Sequence, residues 1–321
     1  MSRQLASLTV EALLARWPFV EQQLAANGFT DLADRPEARL GGLLDADQLN
    51  DLEGFIGHME DFLGTSDAKV SEVTILGGRA KDGSDEPVRE LTVKVGDVVC
   101  IVGPTGCGKS RLLADVEWVA RGDTPTGRHV LINGEVPGDK WRFSSEHKLV
   151  AQLSQNMNFV MDLSVEEFLN LHAESRQAGD PEDKIKRIWN WANELAGEPF
   201  AIDTPVTSLS GGQSRALMIA DTAVLSVSPV VLIDEIENAG IDRQQALDIL
   251  IREEKIVLMA THDPILALMG DKRVIINNGA MQKVIAPSAD ERANLAELRV
   301  LDAKLMSLRH RLRMGERLDR I

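Results

Sequence analysis

The stretch Val98-Val99-Cys100-Ile101-Val102-Gly103-Pro104-Thr105-Gly106-Cys107-Gly108-Lys109-Ser110 decides the fold of this chain. Its first five residues are apolar and mostly β-branched, which reads as a buried strand. Gly103 to Ser110 then match G-x-x-x-x-G-K-[ST], the pattern of a phosphate-binding loop. Helix-forming residues follow at once in Arg111-Leu112-Leu113-Ala114-Asp115, so strand, loop and helix stand in the order that the pattern requires. The glycines let consecutive backbone N–H groups turn toward one anion. The helix N-terminus adds partial positive charge, Lys109 adds a mobile full charge, and Ser110 offers a hydroxyl to Mg²⁺.

Working outward, Leu209-Ser210-Gly211-Gly212-Gln213 precedes a helix predicted over Ser214 to Leu225. Its N–H groups therefore form a second anion site with no phosphate of its own to hold. Val230-Val231-Leu232-Ile233-Asp234-Glu235 is an apolar strand ending in two carboxylates. Ligands of open α/β sheets gather at such strand ends, which places Asp234 to hold Mg²⁺ through water beside Ser110. Glu235, one residue on, points differently and can polarise an attacking water. Thr261-His262-Asp263 follow another buried run, Ile256-Val257-Leu258-Met259-Ala260. Gln155 closes the segment Leu149 to Ser154, on which Gln152 is an alternative ligand.

In this order, the elements between residues 66 and 285 resemble an ATP-binding-cassette (ABC) ATPase domain. The resemblance implies an α/β P-loop fold: a mixed sheet core with an antiparallel β subdomain and a helical subdomain at 156–208. Helical extensions would cover 1–65 and 286–321. It also implies Mg²⁺-dependent hydrolysis of ATP to ADP and phosphate. Gly103, Pro104, Thr105, Gly106, Cys107, Gly108, Lys109, Ser110, Arg111 and Gln155 would contact ATP, and Ser110, Gln155 and Asp234 the metal. Glu235 and His262 would be catalytic, and Asp242 of Asn238-Ala239-Gly240-Ile241-Asp242 would belong to the D-loop. Leu209, Ser210, Gly211, Gly212 and Gln213 would be the signature that closes over ATP held by the opposite subunit, so the active form would be a homodimer with two ATPs sandwiched.

Four departures bear on partner and coupling rather than on the reaction. Ile236 stands where transporter ATPases usually carry proline after the catalytic glutamate, closer to soluble members of the wider superfamily. No Phe, Trp or Tyr lies between Gly64 and Val116 to stack on adenine, which leaves an aliphatic side chain or Arg79 for that task. Arg111 replaces a frequent threonine, and the D-loop carries an unusual glycine and isoleucine.

Composition narrows the setting. A formal net charge of −15 argues against broad nucleic-acid or anionic-membrane binding, which needs clustered Lys and Arg. No apolar run approaches the ~18 residues of a membrane span, and Met1-Ser2-Arg3-Gln4 lacks a signal-peptide core, so a cytoplasmic location is expected. Cys100 and Cys107 give no disulfide framework. Cys107 lies inside the loop, where oxidation would act as a switch; a neutral variant is the simpler reading.

The extensions read as helices. Segments at Leu8–Leu14, Phe19–Ala26 and Asp45–Leu63 are predicted, the last with Leu49, Leu52, Phe55, Ile56, Met59 and Phe62 on one face. The phrase from Thr9-Val10-Glu11 through Trp17-Pro18 to Asn27-Gly28-Phe29 resembles a small helical module of anaerobic-metabolism proteins, and a generic docking extension is the plainer alternative. The turn-rich stretch Gly77–Pro87 reads as a surface loop. Trp189, Trp191 and Phe200 are either contact aromatics or core. After Ser288-Ala289-Asp290-Glu291, a capping box, Leu298, Leu301, Leu305, Leu308 and Leu312 form a short heptad stripe, followed by a basic end rich in arginine. The favoured partner at this stage is a soluble complex, for instance a metalloenzyme undergoing maturation or activation. The alternative is a membrane transporter whose nucleotide-binding subunit this chain would be.

Overall fold

The computed structural model describes residues 5–29, 35–63, 70–143, 148–153, 159–176, 178–234 and 241–318. In chain order the elements are α1 (Val10–Arg16), α2 (Val20–Ala26), α3 (Ala46–Leu63), β1 (Glu72–Leu76), β2 (Glu90–Lys94), β3 (Val98–Val102), α4 (Lys109–Glu117), β4 (His129–Ile132), β5 (Val150–Leu153), α5 (Val165–Ser175), α6 (Pro181–Leu195) and α7 (Gly211–Leu225). Then follow β6 (Val230–Asp234), α8 (Arg243–Arg252), β7 (Ile256–Ala260), α9 (Pro264–Met269), β8 (Lys272–Asn277), β9 (Ala280–Ile285) and α10 (Ala289–Arg313). They fall into two compact units, one of residues 1–69, 139–148 and 158–228, the other of 70–138, 149–157 and 229–321.

The first unit is helical. Thr9 starts α1 by accepting the Ala12 N–H at 3.2 Å, and Gly28 ends α2 at φ +90°, a conformation that costs glycine little. Asp45 and Gln48 exchange side-chain-to-backbone bonds at the head of α3. Leu49, Leu52 and Ile56 of α3 then bury against Leu13, Val20, Leu24 and Leu40, while Phe55 stays half-buried. The side chain of Phe62 lies outside the described residues. A second core joins α5, α6 and α7 through Leu169, Ile188 and Leu217. The helical unit thus runs past residue 208 to take in α7. Ser164 and Glu167 cap α5 reciprocally, and His172 Nδ1 lies 2.9 Å from Asp221 Oδ1 between α5 and α7. Trp189, Trp191 and Phe200 belong to this core, with Trp189 Nε1 donating to the Phe200 carbonyl at 3.2 Å.

The second unit holds both sheets. An antiparallel sheet has the order β2-β1-β4, and a six-stranded sheet has the order β5-β6-β7-β3-β8-β9, parallel except for β9. Strands β3, β6 and β7 are covered on both faces, which explains their unbroken apolar runs. Cys100, at the centre of β3, donates Sγ–H to the Leu266 carbonyl at 3.1 Å, and burial pushes its thiol up to about 12, so it is inert. The capping box Ser288–Glu291 opens α10, and Glu291 also pairs with Arg273 at 2.7 Å. Leu298 and Leu308 are half-buried, whereas Leu301, Leu305 and Leu312 are exposed. Among the described residues, no helix is long and apolar enough to cross a membrane.

The stretch Gly77–Pro87 differs from the surface loop expected of it. Most of it is exposed, but Glu86 is fully buried and faces Arg128, also fully buried. Arg128 Nε donates to Glu86 Oε2 at 3.0 Å, Nη1 to Asp115 Oδ2 at 2.9 Å, and Nη2 to the Gly279 carbonyl at 2.8 Å. Glu86 also accepts the N–H groups of Gly78 and Met281, each at 2.6 Å. Burial opposes the guanidinium's charge, yet hydrogen bonds and charge from Glu86 and Asp115 hold its pKa above the ordinary value. Truncating Arg128 would strand two buried carboxylates. Arg128→Ala is expected to lose about 3–5 kcal/mol in chemical denaturation, and a loss under about 1 kcal/mol would contradict this role.

Candidate functional site

Strand β3 delivers the chain to the phosphate loop, whose shape depends on glycine at both ends. Gly103 has φ +156°, and a Cβ there would stand 2.2 Å from the Ile276 carbonyl oxygen. Gly108, at φ +112°, is the N-cap of α4, and a Cβ on it would meet the Gly279 backbone at 3.0 Å. The loop rests on the β8–β9 turn through Gly279 N–H, which donates to the Cys107 carbonyl at 2.7 Å. Cys107 itself is buried with its Sγ facing Gly103, which agrees with its reading as a neutral variant.

Lys109 is 8% exposed and folded back onto the loop. Its Nζ donates to the carbonyls of Gly103 at 2.9 Å and Pro104 at 3.3 Å, and lies 3.0 Å from His262 Nε2. An ammonium only donates, so His262 Nε2 accepts and the ring proton sits on Nδ1. Thr105, Gly106, Ser110 and Arg111 face solvent. A cradle with no room for a Cβ at Gly103 and a tight approach at Gly108, a cation parked on replaceable carbonyls and a serine hydroxyl in the first helical turn together fit a polyphosphate with Mg²⁺.

The remaining residues of this unit meet the loop from neighbouring strands. Asp234 ends β6 and pairs in register with Ala260, the last residue of β7. Thr261 N–H donates to the Ile101 carbonyl at 3.2 Å, bringing the His262 segment beside the end of β3. Strands β6, β7 and β3 are adjacent, so Asp234, His262 and Lys109 converge at their carboxyl ends. Asp242 caps α8 by accepting the N–H groups of Gln244 and Gln245, both at 3.0 Å. Glu235 and Gln155 lie outside the described residues. Gln152, the alternative to Gln155, sits within β5 opposite Leu232 with its side chain exposed.

The signature segment belongs to the helical unit. Helix α7 begins at Gly211, three residues earlier than the predicted Ser214. Ser210 and Gln213 form a capping box, and it draws both glycines into the first turn. Gln213 Nε2 is further held by the Glu198 carbonyl at 3.1 Å. Leu209 is half-buried and Ser210 exposed. Among the described residues, apart from its chain neighbours and its own helix, no atom comes within 4 Å of a Cβ placed on Gly211.

Sequence reasoning missed Lys81. Arg79, the residue considered for the base, has an exposed side chain, and its backbone N–H is bound to the Thr126 carbonyl at 2.7 Å. Lys81 reaches the loop instead: its Nζ donates to the Gly106 carbonyl at 2.7 Å, and its backbone N–H is fixed by the Asn278 carbonyl at 2.8 Å. A lysine in a polar turn carries no pattern that would single it out.

Comparison with known proteins agrees with this fold. The ABC transporter family model matches residues 89–238. An uncharacterised ABC transporter ATP-binding protein of Methanocaldococcus jannaschii is 51% identical over 250 residues, covering 78% of this chain and 95% of that protein. An sn-glycerol-3-phosphate import ATP-binding protein of Bartonella bacilliformis is 30% identical over 61% of this chain, which spans only 56% of that relative. A solved structure, cbiO1 from Clostridium perfringens, described as part of the ABC transporter complex cbiONQ, aligns over 76% of this chain and 100% of its own. Its TM-score is 0.52 at 21% identity, a likeness of fold. The expected mixed sheet, antiparallel subdomain and helical subdomain are all present, and the chain belongs to the ATP-binding-cassette family of ATPases.

Proposed function

We propose that this ATPase is the nucleotide-binding subunit of a membrane transporter and works as a homodimer. The observation that carries the reading is the relative at 51% identity, which the chain matches nearly end to end and which is named for ATP binding in an ABC transporter. The import ATP-binding proteins among the more distant relatives point the same way. The soluble partner favoured on sequence alone finds no such support. What still speaks for it is Ile236 after Glu235, the missing adenine aromatic and the additional helices α1 to α3.

In the proposed cycle, Lys109 exchanges the carbonyls of Gly103 and Pro104 for phosphate oxygens, and the loop N–H groups up to Arg111 enclose the remaining charge. Mg²⁺, held by Ser110 and through water by Asp234, with Gln155 completing its shell, would neutralise charge on the phosphates. Glu235 accepts a proton from the attacking water, and His262, with Nε2 turned toward Lys109, lies where it can orient that water. The first-turn N–H groups of Gly211 and Gly212 meet the ATP of the other copy, with Leu209, Ser210 and Gln213 shaping that helix start. Asp242 stiffens the approach of the D-loop to α8. Lys81 adds a second cation at the rim of the loop, within reach of a bound nucleotide.

Three outcomes are expected. Lys109→Ala abolishes binding in a fluorescent-ATP titration; retained affinity would remove the loop from the account. Lys81→Ala raises the nucleotide Kd about 2- to 5-fold, and an unchanged Kd would show that its ammonium does not touch the ligand. Glu235→Gln keeps ATP, loses turnover and accumulates as a dimer on gel filtration. Captured from its native host with ATP and Mg²⁺, this variant should bring down multi-span membrane proteins in stoichiometric amounts. A soluble enzyme in their place would establish the remodelling role instead.

A further inference from the structure

Arg243 is the first residue of α8, directly after Asp242, and its guanidinium holds two carboxylates at once. Nη1 donates to Asp263 Oδ2, and Nη2 donates to Asp302 Oδ2 at 2.6 Å. All three side chains are largely withdrawn from solvent, 18% exposed for Arg243, 14% for Asp263 and 30% for Asp302. Such a pair is screened less than a surface ion pair, and the planar fork fixes direction as well as distance.

The two carboxylates sit on segments of different purpose. Asp263 follows His262, and its other oxygen caps α9 by accepting the N–H groups of Ile265 at 2.7 Å and Leu266 at 3.4 Å. Its own N–H donates to Thr261 Oγ1 at 3.0 Å, so the turn carrying His262 is braced on both sides of the imidazole. Asp302 lies midway along α10, a helix outside the sheet and loops that build the phosphate site. Near this contact, a cleft of about 260 Å³ opens between α8, α9 and α10, lined among others by Leu247, Ile251, Leu268 and Leu295. Apolar packing is therefore incomplete there, and Arg243–Asp302 is a polar link between α8 and α10 beside that cleft, in addition to the Arg273–Glu291 pair at the head of α10.

We propose that Arg243 and Asp302 are positioning residues for ATP hydrolysis, through which the C-terminal helix sets the placement of the His262 turn. The inference rests on the ATPase reading of His262. The connected groups run from Asp302 through Arg243 and Asp263 to His262, whose Nε2 faces Lys109 at 3.0 Å. A shift of α10 would thus reach the catalytic turn without passing through the nucleotide cradle. Anything that displaces the helix would alter turnover while leaving ATP affinity as it was.

The test uses the full-length chain and compares wild type with Asp302→Ala, Asp302→Glu, Arg243→Ala and the Arg243→Ala/Asp302→Ala pair. Phosphate release gives kcat and KM, fluorescent ATP gives Kd, and thermal melting reports folding. The expected result is a fall in kcat of about 2- to 30-fold in Asp302→Ala, with KM, Kd and melting unchanged. Asp302→Glu should recover most of the rate, and the double variant should be no slower than Arg243→Ala alone. Wild-type kcat in Asp302→Ala would overturn the inference, as would a loss that tracks ATP affinity or thermal stability. A wild-type protein that does not turn over Mg-ATP would instead sink the catalytic reading on which it rests.

Discussion

A phosphate cradle built from backbone must be held from below, because its own residues bond mainly to the ligand. Gly279 does the holding. Its N–H donates to the Cys107 carbonyl of the loop, and its carbonyl accepts from Arg128. Arg128 can stay charged in the interior only because Glu86 and Asp115 meet it there. One guanidinium therefore ties the β1–β2 connection, helix α4, the head of β4 and the β8–β9 turn to the loop. A buried ion triad is poor evidence for stability by itself, but it is directional. Here the direction it fixes is the floor of the nucleotide site.

With the floor fixed, the strand order does the rest. Adjacent parallel strands β6, β7 and β3 end together, so Asp234, the His262 turn and the loop that carries Lys109 lie along one edge of the sheet without any long excursion of the chain. The Lys109–His262 contact at 3.0 Å is polarised in one sense only, since the ammonium must be the donor. The Lys109 ammonium and the His262 imidazole are thus paired beside the loop before any ligand arrives.

The legible part of this protein was its local part. Gly103 to Ser110 could be read because glycine spacing, a preceding β-branched run and a following helix are consecutive in sequence. Capping boxes at Ser164 and Ser288 were legible for the same reason, and the one at Ser210 was legible in principle, since Gln213 stands three residues on. That box starts the helix at Gly211, three residues before the predicted Ser214. The other differences are non-local. Glu86 and Arg128 are 42 residues apart, and Arg243 and Asp302 are 59 apart. No periodicity links such pairs, so a turn-rich stretch reads as surface although one of its carboxylates is buried. Lys81 escaped notice likewise, because only the fold brings it over Gly106.

Helices α1 to α3, the helical unit and the exposed leucines of α10 offer several faces to a partner, while the ATP chemistry is common to the family. In the homodimer proposed above, two copies complete each other's sites. The most direct measurement is therefore complementation between two inactive proteins. One carries Lys109→Ala and keeps its signature, and the other carries Ser210→Arg and keeps its loop. Each alone should release no phosphate from Mg-ATP, and mixing them should restore a fraction of the wild-type rate, since one composite site per mixed dimer is intact. A mixture as silent as its components, beside an active wild type, would contradict a site shared between two copies.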